Sequence, residues 1–271
     1  MQVYRAVADR ARARELAATD SPFAIEVRFH GGLTDRQQEA FTAAADRWAK
    51  VIVGDLPTAV VDGEEVDDVR IDASGSSIDG PAGVLGQAGP TQLRPASAGA
   101  AAYLPAAGTM EFDSDDLAEM ERVGTLHDVI THEMGHVLGF GTIWTRKRLI
   151  TGAGGDNPAF SGAGAVAAYR ELSGDRKAAS VPVENTGGQG TRDGHWREST
   201  FGLELMTGYI ATPGNPLSAL TVAGMGDLGY QVDLAAAEPY TLAPAPESAE
   251  RALELHARLR TRRPAPRVLT A

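Results

Sequence analysis

Residues 131–144, THEMGHVLGFGTIW, decide how this chain is read. His132 and His136 are four positions apart, so on an α-helix they lie one turn apart on one face and both imidazoles can reach a single ion. Glu133 projects about 100° around the helix from His132, where it can act on a water without being a ligand. Flanking residues supply the helix. Thr125-x-x-Asp128 has the spacing of a capping box and predicts a start near Leu126. Val129, Ile130, Met134, Val137 and Leu138 give the apolar surface, and Gly139 suits the left-handed position that ends a helix. H-E-x-x-H on a helix is the pattern of a zinc site whose glutamate is the general base of a hydrolase. The extended form of the motif places a third histidine three residues after the glycine, and here that position is Thr142.

A catalytic zinc takes three protein ligands and keeps one position for water, so a third ligand has to come from elsewhere. Of the other histidines, His30 ends the first predicted strand and His256 sits among charged residues on a predicted terminal helix, both surface positions. His127 is five residues before His132, about 140° off the ligand face. His195 remains, with Glu171 on a predicted helix and Asp156 in a predicted loop as acidic alternatives. His195 is preferred for its context. HWRESTFGLELMTGY places Met206 eleven residues later, in an LMTG stretch that reads as a turn; the plain alternative for Met206 is core filling.

Bulk properties exclude several classes. The chain has 271 residues, enough for one large domain or two lobes around a cleft. A net charge of −11 argues against nucleic acid or an anionic membrane surface as partner. With no cysteine there are no disulfides, thiolate ligands or cysteine nucleophiles. No apolar run approaches the length of a membrane span. Residues 1–20 carry charges throughout and lack the apolar run of a leader. A complete chain is therefore expected in the cytoplasm, and one that has lost a leader outside the cell.

The pattern along the chain predicts α+β architecture. Residues 1–20 read as a charged, helical lead-in. PFAIEVRF (22–29) alternates as a strand. LTDRQQEAFTAAADRWAKVI reads as a helix capped by Thr34, with Leu33, Phe41, Ala45, Trp48 and Ile52 near one face and Gly54 closing it. Strands follow at 67–75 and 83–89 and, after a loop over 90–107, at 108–116, where the strand leaves into an acidic turn. Asp113, Asp115 and Asp116 form an acidic turn, better read as a helix start than as a calcium site. Past Gly139 the chain becomes glycine-rich at 151–164 and 186–194, with a helix between. Further helices are predicted over 215–230, with Ser218 as cap, and over 246–263, followed by a loose tail. This divides the chain into the lead-in (1–20), an amino-terminal lobe ending in the histidine helix (21–140), an irregular carboxy-terminal lobe (141–245) and a terminal helix with tail (246–271).

HEMGHVLGFG, the long insertion, GHW and ELMTG together resemble the leishmanolysin family of metzincin zinc peptidases. LSALTVAGMGDLGY, ENTGGQGTRDGHW, FTAAADRWAKVIVGDLP and GTMEFDSDDL extend the resemblance over residues 22–230. It implies a mixed amino-terminal sheet with helices, an active-site helix and an irregular carboxy-terminal lobe. It further implies one Zn²⁺ per chain on His132, His136 and His195, with Glu133 as general base toward a zinc-bound water and Met206 as the methionine of a turn beneath the metal. The implied activity is endopeptidase action on protein or peptide substrates. GTMEFD, with Met110 and Phe112, is then expected to offer a sheet edge to an extended substrate, with an interior strand as the alternative; Tyr209 is read as a packed residue, with a place lining the cleft as the alternative. Disulfides, a leader and a lipid anchor, found in well-known members, have no counterpart here. The rival readings are a non-proteolytic zinc amide or ester hydrolase and an inert zinc-containing binding or adhesion module; nothing sets an oligomeric state.

Overall fold

The first residues form a strand. β1 (Gln2–Val7) pairs antiparallel with β2 (Ala24–Phe29), and α1 (Arg10–Ala17) connects them, so the expected helical lead-in is part of the main sheet. The structure, a computed structural model, describes residues 1–80, 85–188, 190–210, 212–242 and 261–270. The chain continues with α2 (Asp35–Val51), the hairpin β3 (Ala59–Val61) and β4 (Glu64–Val66), then β5 (Val69–Ser76), β6 (Gly86–Leu93), β7 (Pro105–Asp113), α3 (Ser114–Val123) and α4 (Leu126–Val137). Next come β8 (Ile150–Thr151), β9 (Ala159–Phe160), α5 (Ala163–Ser173), β10 (Val181–Pro182), α6 (Glu198–Phe201), α7 (Ala219–Leu228), β11 (Thr261–Arg262) and β12 (Arg267–Val268).

Among the described residues the main sheet runs β1-β2-β5-β7-β6-β11, with β12 also on β6. β2, β5 and β7 are parallel, and β6 is antiparallel to β7. β7 therefore has a neighbour on each side and offers no edge, contrary to expectation; Met110 and Phe112 are buried in the core. Beyond β7 lies β6, whose far side is taken by β11 and β12 and which extends beyond the predicted 83–89 into the stretch expected to be loop. Pro90 is accommodated beside a register shift, where a missing N–H costs the ladder least.

α2 forms because Thr34 and Gln37 close a complete capping box, and Ala40, Phe41, Ala44, Ala45 and Trp48 bury one face. It ends at Val51, where Ile52 turns extended and bridges Val232, rather than at Gly54. Gly54 is instead a close approach, since a Cβ there would lie 2.6 Å from Gln231 Cβ.

The helix α4 packs against α2 on one side and β6 and β7 on the other. Every residue of α4 except His127 is buried, as expected of a central helix. Trp48 Nε1 donates to Thr131 O at 2.8 Å. Gly108 of β7 lets Val137 approach the sheet more closely than any side chain there would permit. The predicted capping box does not form. Thr125 is helical at the cap and its side chain caps nothing. Asp128 is drawn away by Arg47 at 3.2 Å and by the Gly214 and Asn215 amides at 2.6 and 3.1 Å. Asp113, by contrast, caps α3 through Asp115 N.

Beyond α4, β8, β9 and β10 make a small antiparallel sheet, and α5 packs on α7. Residues 243–260, most of the expected terminal helix, lie outside the described residues. Thr261–Arg262, expected to belong to that helix, and Arg267–Val268, in the tail expected to be loose, are instead strands on β6, where pairing with Gly86–Gln87 and Gln92–Leu93 orders them. No described helix is long and apolar enough to cross a membrane.

Trp48 backs the helix that carries both motif histidines. Trp48→Ala is expected to lower unfolding free energy by about 3–5 kcal/mol, with Trp48→Phe less severe; urea denaturation followed by circular dichroism measures both.

Candidate metal centre

His132 and His136 of α4 meet His195 in the interior. Their Nε2 atoms form a near-equilateral triangle with sides of 3.0, 2.9 and 3.1 Å. Each ring's other nitrogen faces a backbone carbonyl: His132 Nδ1 lies 2.7 Å from Leu205 O, His136 Nδ1 2.8 Å from Phe140 O, and His195 Nδ1 2.6 Å from Thr191 O. A carbonyl only accepts, so each Nδ1 carries the proton and each Nε2 turns a bare lone pair inward. Burial holds the His132 pKa down to about 4 and pushes those of His136 and His195 well below the ordinary value. All three rings are neutral at pH 7.

This donor set fits a cation. Three converging lone pairs have no hydrogen to share among themselves. Nitrogens bound to a tetrahedral zinc at 2.0–2.1 Å stand about 3.3 Å apart, close to the observed triangle. A carbonyl on the outer nitrogen of each imidazole is the usual outer support of a metal-ligating histidine. The group can therefore hold a metal ion.

The chain returns to this point after a long excursion because two glycines touch. A Cβ on Gly141, which has φ +70°, would collide with Gly194 O. The turn leaving α4 thus lies directly against the residue preceding His195. Gly139, at φ +107°, ends the helix as expected. Thr142, where the extended motif has histidine, donates from Oγ1 to His136 O at 2.9 Å and so closes a carbonyl of the helix end. Around His195, Glu184 accepts from the Asn185, Thr186 and Glu198 amides at 3.0, 2.8 and 2.8 Å. Trp196 packs into a cluster with Phe140, Trp144 and Phe160, with ring centroids 5.1, 5.3 and 5.3 Å away.

Met206 lies under α4. A Cβ on Gly135, between the two motif histidines, would sit 3.0 Å from Met206 Sδ, 2.9 Å from its Cε and 2.8 Å from Trp48 Cζ2. The turn that carries Met206 is held by Glu204, which is fully buried. It accepts from Met206 N at 2.6 Å, Ser218 Oγ at 2.6 Å and Thr221 Oγ1 at 2.5 Å. Burial raises the Glu204 pKa, and these bonds oppose the rise. Ser218 occupies the cap position of α7 as predicted, yet its hydroxyl serves Glu204 rather than the helix.

Glu133 is fully buried beside the triad, and its charge raises the pKa of Arg263. Glu171 and Asp156 are exposed and outside the histidine group. His30 pairs with Asp72 at 2.7 Å and His127 is exposed; His256 lies outside the described residues. Tyr209 is buried just past the Met206 turn. Sequence reading missed Gly135, Glu204, Glu184 and Arg263. The E-L-M triplet contained Glu204, but its role needs Ser218 and Thr221, which only the fold brings near.

The family model described as leishmanolysin (peptidase M8) matches residues 100–246. Leishmanolysin of Leishmania major is 36% identical over 118 residues, covering 41% of this chain and 19% of the relative. Leishmanolysin of Leishmania donovani is 35% identical over 118 residues, covering 41% and 20%. A leishmanolysin homolog of Crithidia fasciculata is 29% identical over 133 residues, covering 46% and 20%. The chain thus spans about a fifth of the length of these curated relatives.

Glu204→Ala would strand three buried donors. It is expected to lower stability by about 3 kcal/mol or more and metal-ion affinity by about 10–100-fold. Denaturation and competition against a chromophoric chelator measure the two effects, and unchanged affinity would show that the Met206 turn does not support the histidines.

Proposed function

The chain belongs to the leishmanolysin family, and on that premise we propose that it is a zinc-dependent metalloendopeptidase. In this reading His132, His136 and His195 hold one ion per chain, Glu133 is the general base, and protein or peptide chains are the substrates. The observation that carries it is the convergence of three buried Nε2 atoms within 3.1 Å of one another, with Glu133 buried on the helix that supplies two of them.

Zinc bound there would supply a Lewis acid that polarises the scissile carbonyl and makes a water nucleophilic at neutral pH. The three carbonyl-anchored imidazoles fix the direction of every lone pair before any ion arrives. Glu133 takes the proton of the attacking water and passes it to the leaving nitrogen. Its position one residue after His132 keeps it off the ligand face but within the same wall. Met206 gives the histidines a soft apolar floor, and the surrounding core excludes water. In the metzincin-type architecture that this reading carries, residues 21–140 are the lobe that ends in the active-site helix. Residues 141–245 bring the third ligand and the Met206 turn.

Glu133→Gln is expected to keep one zinc per chain and lose turnover of an unfolded protein substrate by about 10²-fold or more. His195→Ala is expected to lose the zinc itself. Metal analysis with a casein-cleavage assay, with and without chelator, checks both; full activity in the Gln variant would sink the mechanism.

A further inference from the structure

The segment 261–270 lies along β6, the strand that β7 leaves at the outside of the sheet. Thr261 and Arg262 pair in parallel with Gly86 and Gln87, and Arg267 and Val268 with Gln92 and Leu93. Leu269 N donates to Leu93 O at 2.8 Å. The register is the same on both sides of the intervening Arg-Pro-Ala-Pro, so the segment is one strand that loses its ladder only where Pro264 and Pro266 have no N–H to give. Pro264 crosses at Gly89, where a Cβ would come within 3.0 Å of its ring.

From this strand Arg263 reaches the histidines. Its Nη2 donates to Gly190 O at 2.8 Å and stands 3.4 Å from His136 Nε2. Its guanidinium covers Gly194, where a Cβ would collide with Nη1. Burial lowers the Arg263 pKa, and the Glu133 carboxylate opposes that shift. A fixed positive charge thus faces both the ligand set and the general base. Like charges repel strongly inside a protein, so a guanidinium 3.4 Å from the His136 nitrogen opposes a divalent ion at the triad.

We infer that residues 261–270 are a resident peptide of the catalytic groove, an autoinhibitory strand whose Arg263 blocks the metal centre. The inference rests on the zinc-peptidase reading above. The strand uses the backbone edge of β6, the kind an extended substrate needs, and Arg263 reaches a ligand nitrogen, His136 Nε2. Its chemistry suits the place: TRRPAPRVLT carries three arginines and no acid, on a chain with net charge −11. The bond after Arg263 is a tertiary amide to Pro264, with no N–H to pair with β6. Metal loading and substrate entry both require the segment to leave.

The test uses the full chain carrying Arg263→Ala or Arg263→Gln, the second keeping a donor for Gly190 O without the charge. Both variants are expected to bind zinc about tenfold more tightly than wild type, because the competent state no longer competes with the blocked one. Chelator competition measures this. Amide hydrogen exchange over Gly86–Leu93 is expected to rise as the strand loosens, and cleavage of a quenched peptide by zinc-loaded protein to rise about tenfold. Zinc affinity and β6 exchange equal to wild type in either folded variant would overturn the inference, whatever the activity. Tighter zinc and faster exchange with no peptide cleaved would uphold the resident strand and defeat the peptidase reading instead.

Discussion

Three backbone carbonyls set the terms for the rest of this structure. Leu205, Phe140 and Thr191 each take the Nδ1 proton of one histidine, so every ring is locked in one tautomer with its Nε2 aimed at a common point. The three oxygens come from separate places: the turn after α4, the loop before His195, and the turn carrying Met206. Much of the carboxy-terminal half can be understood as the means of bringing these three to one helix. The desolvation that keeps the imidazoles neutral also makes each bond worth more than it would be in water.

Holding irregular backbone at this depth requires acceptors and donors that the backbone lacks. Buried glutamates fill that role. Glu204 ties the Met206 turn to the start of α7, and Glu184 gathers amides on both sides of His195. Close glycine approaches do the complementary work, at Gly135 beneath the helix and at Gly141 against Gly194. Hydrophobic packing seals the arrangement through the aromatic cluster around Trp196.

What the sequence made legible follows the range of each signal. The α4 helix, the Gly139 stop, the Thr34 cap and the α+β character rest on local spacing, and local spacing survives in the structure. The convergence of His195 on the motif pair was readable because His195, Trp196 and Met206 share one short stretch. The failures were contests between local and distant partners. Thr125-x-x-Asp128 has capping spacing, but Arg47 and the 214–215 amides hold Asp128. The first seven residues look helical by charge and become a strand because β2 has an open side. PAPRVLTA has the composition of a loose tail, yet its residues 267–269 are held on β6. Pairing between strands distant in sequence leaves little trace in either strand alone.

The meeting of Gly141 with Gly194 has a bearing on how such a chain can change. The excursion from residue 142 to residue 193 departs and returns at nearly one point, so the contact between its ends does not depend on its length. The entropy of closing a loop grows only logarithmically, about 0.6 kcal/mol for each doubling. Segments can thus be gained or shed within the excursion without displacing the third histidine. A site built this way separates the length of a chain from the geometry of its chemistry, leaving the outer surface of the excursion to vary while the interior stays the same.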